Sequence, residues 1–397
     1  MRLLTFSTLY PSSVRPGHGI FVETRLRELL VSDEIEVRVV APVPWFFSAD
    51  PRYGEYARMA RIPKRETHRG IDILHPRYFL PPKVGMNIAP FTLAMGAIPA
   101  VQRLLAEGYD FDVIDAHYYY PDGVAAALLA RHFNKPFVVT ARGSDINLIA
   151  THAIPRRLMR WTSSRAAASI GVSQALVQAM EKIGMPTSRL MMMPNGVDLE
   201  QFHIQSSDVM RTELGWTAIP TLLSVGNLVE NKGHHLAIEA LASLPGFQLV
   251  IAGEGPERST LERLASQLDV TSRLRFLGRV DQNQLAKCYS AADILVLPSS
   301  REGWPNVLLE SMACGTPVVA TRVGGVPEIV TSPNAGRLMP ERTVADVVAA
   351  VSDLWANLPS REMVRSQAKG SSWKSTTDSQ LDLFSRIVSG ALESTHA

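Results

Sequence analysis

The sequence predicts an α/β protein built from two doubly wound domains, and three observations support that prediction. Short apolar segments such as Leu3–Ser7 and Thr221–Gly226 alternate with helical patterns along the chain, which is typical of parallel sheets covered by helices. The chain has 397 residues, which is long for one domain and sufficient for two. The turn Pro194-Asn195-Gly196 lies near the middle of the chain, and its composition suits a hinge. We therefore expect one domain over residues 1–198 and a second over residues 199–373.

Composition and charge narrow the class of protein. The chain is 46% hydrophobic and 20% charged, which is ordinary for a soluble globular protein. Its formal net charge of +2 lacks the strongly basic balance of nucleic-acid-binding proteins, so we expect no nucleic-acid partner. Residues 1–200 hold 23 Lys and Arg against 18 Asp and Glu, whereas residues 201–397 hold 17 against 20. An acidic substrate or a membrane surface near the first half fits these charges as well as a random distribution does.

The sequence indicates a cytoplasmic protein with a possible contact to the inner face of a membrane. Cys288 and Cys314 suggest no disulfide framework and fit a reducing compartment. The N-terminal segment MRLLTFSTLYP has one basic residue and a short apolar run, which predicts a strand rather than a signal peptide. We expect no membrane-length apolar run elsewhere. Ala153–Ala166 predicts a basic amphipathic helix, either on the protein surface or at a membrane interface.

The most informative stretch is residues 294–321, which predicts strand, loop, helix, turn and strand. Pro305 suits the first position of the helix. The helix ends at the turn Gly315-Thr316-Pro317. A helix N-terminus presents unpaired N–H groups and the positive end of the helix dipole. The backbone amides of Asn306 and Val307 are therefore candidates for binding phosphate.

Two glutamates, Glu302 and Glu310, flank the start of this helix. Glu310 lies about 7–8 Å along the helix at 1.5 Å per residue, roughly the reach from a diphosphate to the ribose of the same nucleotide. A carboxylate beside a diphosphate repels it, so both acids are better explained as acceptors of hydroxyl hydrogen bonds. We expect Glu310 to bind the ribose diol and Glu302 to bind hydroxyls on the group beyond the far phosphate. That arrangement matches a nucleotide sugar.

These residues resemble the retaining GT-B glycosyltransferases, specifically glycosyltransferase family 4. The resemblance rests on Glu302 and Glu310 with seven residues between them, on the following segments MACGTPVVAT and GGVPEIV, and on PNGVD at 194–198. It implies the GT-B fold, in which two Rossmann-like domains face a central cleft. It also implies that the last helix, within residues 374–397, returns to the N-terminal domain.

The resemblance also implies a reaction. The expected activity is that of a metal-independent hexosyltransferase, which moves a sugar from a nucleoside diphosphate sugar to an acceptor hydroxyl and retains the anomeric configuration. We expect a UDP-sugar rather than a GDP-sugar as donor and no cofactor. The expected acceptor is a lipid-linked or growing glycan of the bacterial envelope or of an exopolysaccharide.

The resemblance places most of the donor site in the second domain. Glu302 and Lys232 are the expected catalytic residues, because a mobile lysine can meet the charge that develops on a leaving diphosphate. The expected donor-binding residues are Gly19, Asn227, Lys232, Arg279, Val280, Glu302, Gly303, Asn306, Val307 and Glu310. Relatives usually carry arginine at the position of Asn227, and asparagine can donate a hydrogen bond but brings no charge.

Three residues of the first domain, His117, Arg142 and Asp145, are candidates for the acceptor site or the cleft. His117 ends a predicted strand, and ligands of such sheets lie beyond the carboxyl ends of the strands. Relatives often carry His-Gly-x-Asp where this chain has Arg142-Gly-Ser-Asp145. Arginine stays charged and cannot share a proton as histidine does, so we expect Arg142 to bind an acceptor phosphate or carboxylate instead. Asp110-Phe-Asp112 matches the D-x-D pattern by which another glycosyltransferase fold holds a metal, but here it introduces a strand, and we expect it to face solvent. No Cys/His cluster has the spacing of metal ligands, so we expect no metal.

Three alternatives remain open at this point. A nucleotide-sugar 2-epimerase has the same two-domain shape. A nicotinamide oxidoreductase needs a full G-x-G-x-x-G fingerprint, which Gly17 and Gly19 do not complete. A non-catalytic sugar-nucleotide sensor is suggested by Arg142 and Asn227, the two departures from the family pattern.

Overall fold

The computed structural model describes residues 1–32, 34–81 and 85–390, and the chain divides into two compact units. Unit 1 comprises Met1–Pro194 together with the C-terminal segment from Lys374, and unit 2 comprises Asn195–Trp373. The boundary predicted between residues 198 and 199 therefore lies slightly beyond the observed one. Residues 391–397 of the predicted C-terminal segment lie outside the described residues.

The strands are short and carry mostly apolar, β-branched residues, as expected for strands buried on both faces. In chain order they are Arg2–Phe6 (β1), Glu36–Val40 (β2), Val43–Pro44 (β3), Arg65–His68 (β4), Ile71–Leu74 (β5), Arg77–Tyr78 (β6), Val113–His117 (β7), Phe137–Ala141 (β8), Ala168–Gly171 (β9), Leu190–Met192 (β10), Thr221–Val225 (β11), Gln248–Ala252 (β12), Leu274–Gly278 (β13), Ile294–Leu297 (β14), Val318–Thr321 (β15) and Gly336–Met339 (β16).

Helices separate most consecutive strands, which gives the alternation that a parallel sheet requires. In chain order they are Ile20–Leu30 (α1), Gly54–Ala60 (α2), Gly85–Ala106 (α3), Val124–Phe133 (α4), Ser144–Asn147 (α5), Ala153–Ser163 (α6), Gln174–Lys182 (α7), Ser207–Leu214 (α8), His234–Ala242 (α9), Arg258–Gln267 (α10), Gln282–Ala291 (α11), Asn306–Ala313 (α12), Val326–Ile329 (α13), Val344–Ala356 (α14), Arg361–Lys369 (α15) and Trp373–Val388 (α16).

Unit 1 is built on a sheet with strand order β10-β9-β8-β7-β1-β2-β5-β4. Its strands are parallel except that β4 pairs antiparallel with β5. The strand order reverses direction between β7 and β1. Residues that follow β1, β7 and β8 therefore lie beyond the same edge of the sheet, where ligands of doubly wound folds bind.

Unit 2 is built on a fully parallel sheet with strand order β13-β12-β11-β14-β15-β16. This is the Rossmann order, and its switch point lies between β11 and β14. Two apolar clusters cover the two faces of the sheet; one contains Leu295 and Leu309, and the other contains Ile294 and Leu249. The loops after β11 and β14 therefore emerge side by side at the switch point.

The stretch from Trp45 to residue 84 differs most from the sequence-based expectation. The prolines, tyrosines and basic residues of this stretch predict a loop with one short strand at Ile71–Leu74, and the structure contains that strand (β5). The structure adds α2, β4 and β6 to it. These elements have two to seven residues each, which is too short for a hydrophobic period to be visible. Residues 82–84 lie outside the described part of this stretch.

Within residues 1–32, 34–81 and 85–390, one helix is long and apolar enough to span a membrane, namely α3. Its most apolar 18-residue window has a mean hydropathy of 1.3, and 39% of that window is buried. Asn87, Thr92 and Arg103 interrupt its apolar residues, so the finding rests on length and average composition and does not contradict the expectation of no uninterrupted apolar run. Leu93, Ala97 and Leu104 are buried on one of its faces, whereas Phe91 and Met95 are exposed.

Candidate functional site

Lys232 and Glu302 meet at the switch point of the unit 2 sheet. Lys232 ends a short 3-10 turn after β11, and Glu302 lies in the loop after β14. Lys232 Nζ donates a hydrogen bond to Glu302 Oε1 across 2.7 Å. The lysine side chain is 24% exposed and the glutamate side chain 9% exposed. The structure thus joins the two residues that were predicted to be catalytic into one ion pair at the place where the topology predicts a ligand.

The backbone around Glu302 is held by a close approach of Gly324. Gly324 has φ near +50°, and a Cβ on it would lie 1.8 Å from the carbonyl oxygen of Glu302. Since such a contact is impossible, the position requires glycine for both its conformation and its space. The loop after β15 therefore fixes the backbone that carries Glu302.

The start of α12 offers two unpaired amides. Pro305 is the N-cap of α12, which begins at Asn306, so the prediction that Pro305 occupies the first helical position is wrong by one residue. Its extended ψ near 96° keeps it outside the helix. Among the described residues, nothing accepts a hydrogen bond from the backbone N–H of Asn306 or Val307. Both amides point from the positive end of a helix dipole, which is an arrangement that binds phosphate.

Side chains of unit 2 fix the loop that precedes α12. Trp304 Nε1 donates to the carbonyl oxygen of Asn195 across 2.9 Å, and Asn195 Nδ2 donates to Asn306 Oδ1 across 3.2 Å. These two bonds tie the start of unit 2 to the start of α12. Gly303 lies within this loop, between Glu302 and Trp304.

Glu310 lies in the second turn of α12 and is bonded to a buried phenol. Tyr289 Oη, from α11, donates to Glu310 Oε2 across 2.8 Å. Burial raises the pKa of Glu310 to about 7, although the bond from Tyr289 opposes that shift. Glu302 is paired with a cation and Glu310 with a neutral hydroxyl, so the two glutamates differ in their electrostatic environment. Glu310 is therefore suited to accept hydroxyl hydrogen bonds in place of, or beside, Tyr289.

The remaining predicted donor residues of unit 2 lie beyond the carboxyl ends of its strands. Asn227 follows β11 and is exposed, and its carbonyl oxygen lies 3.2 Å from Nε2 of the buried His234. Arg279 and Val280 follow β13; Arg279 is exposed, and Val280 packs against the apolar cluster of this unit. They share an edge of the sheet with Lys232 and Glu302, and direct contact of each with a donor stays a prediction.

Gly19 of unit 1 has a structural role that the sequence did not suggest. It is the N-cap of α1 with φ near +70°, and a Cβ on it would lie 2.2 Å from the carbonyl carbon of Leu9. The loop after β1 therefore closes on itself at Gly19. Its predicted contact with the donor stays a prediction.

The half-buried Arg142 is linked to the buried side chains of His117 and Asp115 beyond the carboxyl ends of the unit 1 strands. Arg142 Nη2 lies 2.8 Å from His117 Nδ1, and His117 Nε2 lies 3.2 Å from Asp115 Oδ2. Arginine can only donate, so Nδ1 is the acceptor and Nε2–H donates to Asp115. Burial lowers the pKa of His117 below its ordinary value, and Arg142 contributes to that shift. A neutral histidine therefore holds the guanidinium of Arg142.

Arg142 remains a cation in this setting. Burial, together with Arg25, lowers its pKa to about 9, which still leaves it protonated at neutral pH. Its guanidinium carbon lies 5.1 Å from the centre of the Phe21 ring, a cation–π contact. Asp115, which contacts His117, and the neighbouring Arg25 both contact Gln380 of α16. Sequence patterns do not reveal these partners, because they are far apart in the chain.

The carboxylate of Asp145 holds together the loops that follow β7 and β8. Its carboxylate accepts hydrogen bonds from the backbone amides of Tyr119 and Gly143 at 2.7 and 2.8 Å and from that of Arg142 at 3.1 Å. It is fully buried. Its oxygens are thus occupied in joining the loops after β7 and β8, and its predicted contact with a ligand stays a prediction. Within the described residues no group of three or more metal-ligating side chains occurs.

Comparison with known protein families matches both halves of the chain. The family described as Glycosyltransferase Family 4 matches residues 14–201, and that described as Glycosyl transferases group 1 matches residues 210–371. A relative from Bacillus subtilis (strain 168), the teichuronic acid biosynthesis glycosyltransferase TuaC, is 31% identical over 334 residues, which is 82% of this chain and 82% of that protein.

Other relatives match over shorter lengths. The D-inositol 3-phosphate glycosyltransferase of Mycolicibacterium smegmatis is 34% identical over 51% of this chain and 48% of its own length. The N-acetyl-alpha-D-glucosaminyl L-malate synthase of Bacillus anthracis is 26% identical over 63% of this chain and 66% of its own length.

Solved structures share the architecture at low identity. The sucrose-phosphate synthase of Thermosynechococcus elongatus superposes with a TM-score of 0.81 at 20% identity, over 98% of this chain and 99% of that one. Anabaena HepE in complex with UDP superposes with a TM-score of 0.72 at 20% identity, over 97% and 100% of the two chains. These neighbours show the fold of this chain.

Proposed function

The chain belongs to the family 4 glycosyltransferases of the GT-B fold, and we propose that it moves a sugar from a UDP-sugar to an acceptor hydroxyl with retention of the anomeric configuration. The observation that carries this proposal is the Lys232–Glu302 pair at the switch point of unit 2. A cation, a carboxylate and two unpaired helix amides are brought together at this point. Glu310 lies further along the same helix.

These groups match the parts of the donor. The amides of Asn306 and Val307 bind the diphosphate, and Lys232 neutralises it. Glu310 binds the ribose diol, and Glu302 binds hydroxyls of the transferred sugar. Arg279 and Val280 contact the base through their backbone. UDP is preferred over GDP in this proposal, supported by the UDP in the HepE complex, a structural neighbour.

We propose a same-face displacement for the chemical step. The bond between the sugar carbon and the diphosphate oxygen breaks, and the acceptor oxygen forms the new bond on the same face. The leaving diphosphate takes the proton of the acceptor hydroxyl. Lys232, the two amides and the α12 dipole stabilise the negative charge on the diphosphate as it departs. In this mechanism these protein groups supply the positive charge, and no metal or cofactor is required.

We assign the acceptor to unit 1, where Arg142 stands at the position for which the family resemblance predicts histidine. A neutral His117 holds the guanidinium of Arg142 at 2.8 Å, so it is a fixed cation rather than a base. It suits a phosphate or carboxylate on the acceptor. Two relatives are named for compounds that carry such groups, D-inositol 3-phosphate and L-malate, and TuaC is named for the biosynthesis of teichuronic acid. We therefore propose an envelope glycan or a lipid-linked glycan as acceptor.

A basic groove on unit 1 supports a location at the cytoplasmic face of a membrane. Its volume is about 580 Å³, and Arg156, Arg157, Arg160 and Arg165 line it. No carboxylate is among the described residues that line this groove. Ile154 lies at the start of α6, the helix that carries Arg156, Arg157 and Arg160, and it is 52% exposed. Arginines beside an exposed apolar residue are typical of helices that bind anionic lipid surfaces. Sedimentation with vesicles of phosphatidylglycerol, but not with vesicles of phosphatidylcholine alone, is the expected result.

Product analysis tests the proposed reaction. The purified protein is incubated with UDP-glucose, UDP-galactose, UDP-N-acetylglucosamine and GDP-mannose, with and without a membrane extract as acceptor and with EDTA present. Sugar transfer that depends on the extract, with an α-linked product from an α-linked donor, supports the proposal. An epimerised nucleotide sugar formed in the absence of acceptor would instead indicate an epimerase, and tight UDP binding without turnover would indicate a sensor.

A further inference from the structure

Unit 1 contains a small pocket that the proposed donor chemistry does not use. It has a volume of about 200 Å³ and lies between the loops that follow β1 and β2. Ligand sites of drug size are about 300–1,000 Å³, so this pocket accommodates one small group rather than a chain. We name it the Arg15 pocket after the guanidinium in its lining. No carboxylate is among the described residues that line it.

His18 holds the guanidinium of Arg15 in place. Arg15 Nη2 lies 3.2 Å from His18 Nδ1, and His18 Nε2 lies 3.2 Å from the carbonyl oxygen of Thr8. Since arginine and Nε2–H both donate, His18 is neutral here. Burial, with a contribution from Arg15, lowers the pKa of His18 to about 4. This arrangement repeats that of Arg142 and His117, in which a neutral histidine also positions an arginine.

The guanidinium of Arg15 still has N–H groups that can donate hydrogen bonds to a ligand. This guanidinium also lies near Glu55, whose carboxylate is 3.8 Å from Nε and whose side chain is 57% exposed. Nη1 has no hydrogen-bond partner among the residues that the structure describes. A guanidinium fixed at one nitrogen and open at another suits a carboxylate or a phosphate.

The rest of the pocket suits a sugar ring. Tyr78 lines it and is 7% exposed, and its hydroxyl makes no hydrogen bond to any residue within the described part of the chain. Pro42, Val43, Pro44 and Ile62 provide an apolar wall. Tyr10 lines the pocket as well, and its buried hydroxyl also has no hydrogen-bond partner among the described residues. A sugar ring presents an apolar C–H face and a rim of hydroxyls, so an apolar wall, two tyrosine hydroxyls and a cation in one pocket are complementary to an acidic sugar.

We propose that the Arg15 pocket binds one sugar residue of the acceptor through a carboxylate or phosphate on that residue, with Arg15 contacting the anion and Tyr78 a hydroxyl. This inference rests on the proposed glycosyl transfer, because it defines what the acceptor carries. Arg15 follows β1 and Arg142 follows β8, and both strands end at the same edge of the unit 1 sheet. The pocket therefore adds a selectivity site to the acceptor side of unit 1.

Ligand-observed NMR titrations with UDP present test the proposal. The probes are methyl β-glucuronide, glucose 6-phosphate and the neutral methyl β-glucoside. For the wild type we expect at least one anionic probe to bind about tenfold tighter than the neutral sugar, the range of a charged hydrogen bond. Arg15→Gln is expected to abolish that preference. Tyr78→Phe is expected to weaken the binding of all three probes severalfold. The stability of this variant should equal that of the wild type, because the removed hydroxyl has no hydrogen-bond partner among the described residues.

Arg52→Gln is the matched control, because Arg52 is 72% exposed and paired with Asp50. It should retain the full preference. Equal binding of anionic and neutral probes by the wild type, or a preference that persists in Arg15→Gln, would overturn the inference. Calorimetry of UDP binding on the same samples distinguishes a failure of the Arg15 pocket proposal from a failure of the proposed function. Tight UDP binding without any sugar preference leaves the donor assignment intact and removes only the Arg15 pocket, whereas absence of UDP binding removes the proposed function.

Discussion

Lys232 Nζ donates a hydrogen bond to Glu302 Oε1 across 2.7 Å, so a cation and a carboxylate pair at the switch point of the unit 2 sheet. We propose that a diphosphate bound at the amides of Asn306 and Val307 competes with Glu302 for the same lysine. In this proposal the donor replaces Glu302 as the anionic partner of Lys232, and the Glu302 carboxylate becomes able to accept hydrogen bonds from sugar hydroxyls. Lys232 then acts on the diphosphate and Glu302 on the sugar, and substitution of each residue in turn can distinguish these two roles.

Lys232→Ala is expected to lower kcat by roughly 10²–10³-fold, the loss measured when one stabilising donor is removed from an active site. The reason is that the charge on the leaving diphosphate loses its mobile cation. Steady-state kinetics with the preferred UDP-sugar measure this. Lys287→Ala is the control, since Lys287 lies on the surface of the same unit and pairs with Glu213. Near-wild-type turnover in Lys232→Ala would remove this residue from the catalytic assignment.

Glu302→Gln is expected to separate nucleotide binding from turnover. UDP has no sugar, and loss of the competing carboxylate leaves Lys232 to the diphosphate, so UDP should bind severalfold tighter. Turnover should fall at least about tenfold, because an amide accepts sugar hydroxyls more weakly than a carboxylate does. Calorimetry and kinetics on the same variant measure both effects. A variant that loses UDP affinity would show that Glu302 supports the nucleotide and not the sugar.

Glu310 should make UDP binding depend on pH. Burial raises its pKa to about 7, and ribose hydroxyls donate preferentially to the ionised form. UDP affinity is therefore expected to fall, by up to about tenfold per pH unit, as the pH drops below 7. The affinity of Glu310→Gln should be weaker by about 10–100-fold at pH 8, the range of a hydrogen bond to a charged group, and it should vary less with pH than that of the wild type, because only the phosphate of UDP, with a pKa of about 6, still titrates in this window. A wild-type affinity that is constant between pH 5.5 and 8 would contradict the ribose assignment.

The same carboxyl should affect stability in the opposite sense. Its pKa in the folded state lies above the ordinary value of 4.5, so the folded protein binds this proton more tightly than the unfolded chain. The contribution of Glu310 to the unfolding free energy is therefore greatest below about pH 4.5 and is lost as the pH rises to about 7. Glu310→Gln should be more stable than the wild type at pH 8 and lose that advantage near pH 5. Thermal unfolding at the two pH values measures this, with Glu213→Gln as an exposed control.

Gly324→Ala is expected to impair catalysis by displacing the backbone that carries Glu302. A Cβ at this position would lie 1.8 Å from the Glu302 carbonyl oxygen, and alanine at positive φ adds strain of about 1 kcal/mol or more. We expect kcat to fall at least about tenfold while the variant remains folded. Gly246→Ala is the control, because a Cβ there meets nothing within 4 Å. Equal kinetics for both variants would show that the loop after β15 does not position Glu302.

The segments that the sequence predicted well are those whose pattern is local. The stretch from Ile294 to Thr321 has a buried strand, a proline before a helix and a glycine after it, and the structure follows that order. The start of α12 differs by one residue, because Pro305 serves as the cap. Such boundaries depend on backbone angles that composition does not specify.

The partners of the predicted residues could not be read in the same way. Tyr289 bonds to Glu310, and Asp115 and Arg25 lie behind the Arg142–His117 contact, because helices and strands distant in sequence pack side by side. No periodic pattern indicates such a contact. The short elements within residues 45–81 were missed for a related reason, since two-residue strands form only when a partner strand is present.

Calorimetric titration of the protein with UDP, GDP, ADP and NAD in the absence of added metal tests the donor site most directly. We predict that UDP binds in preference to the other three and that Glu310→Ala weakens this binding by at least about tenfold. Binding of NAD alone, or UDP binding that Glu310→Ala leaves unchanged, would contradict the assignment of the Lys232–Glu302 site of unit 2 to a nucleoside diphosphate sugar.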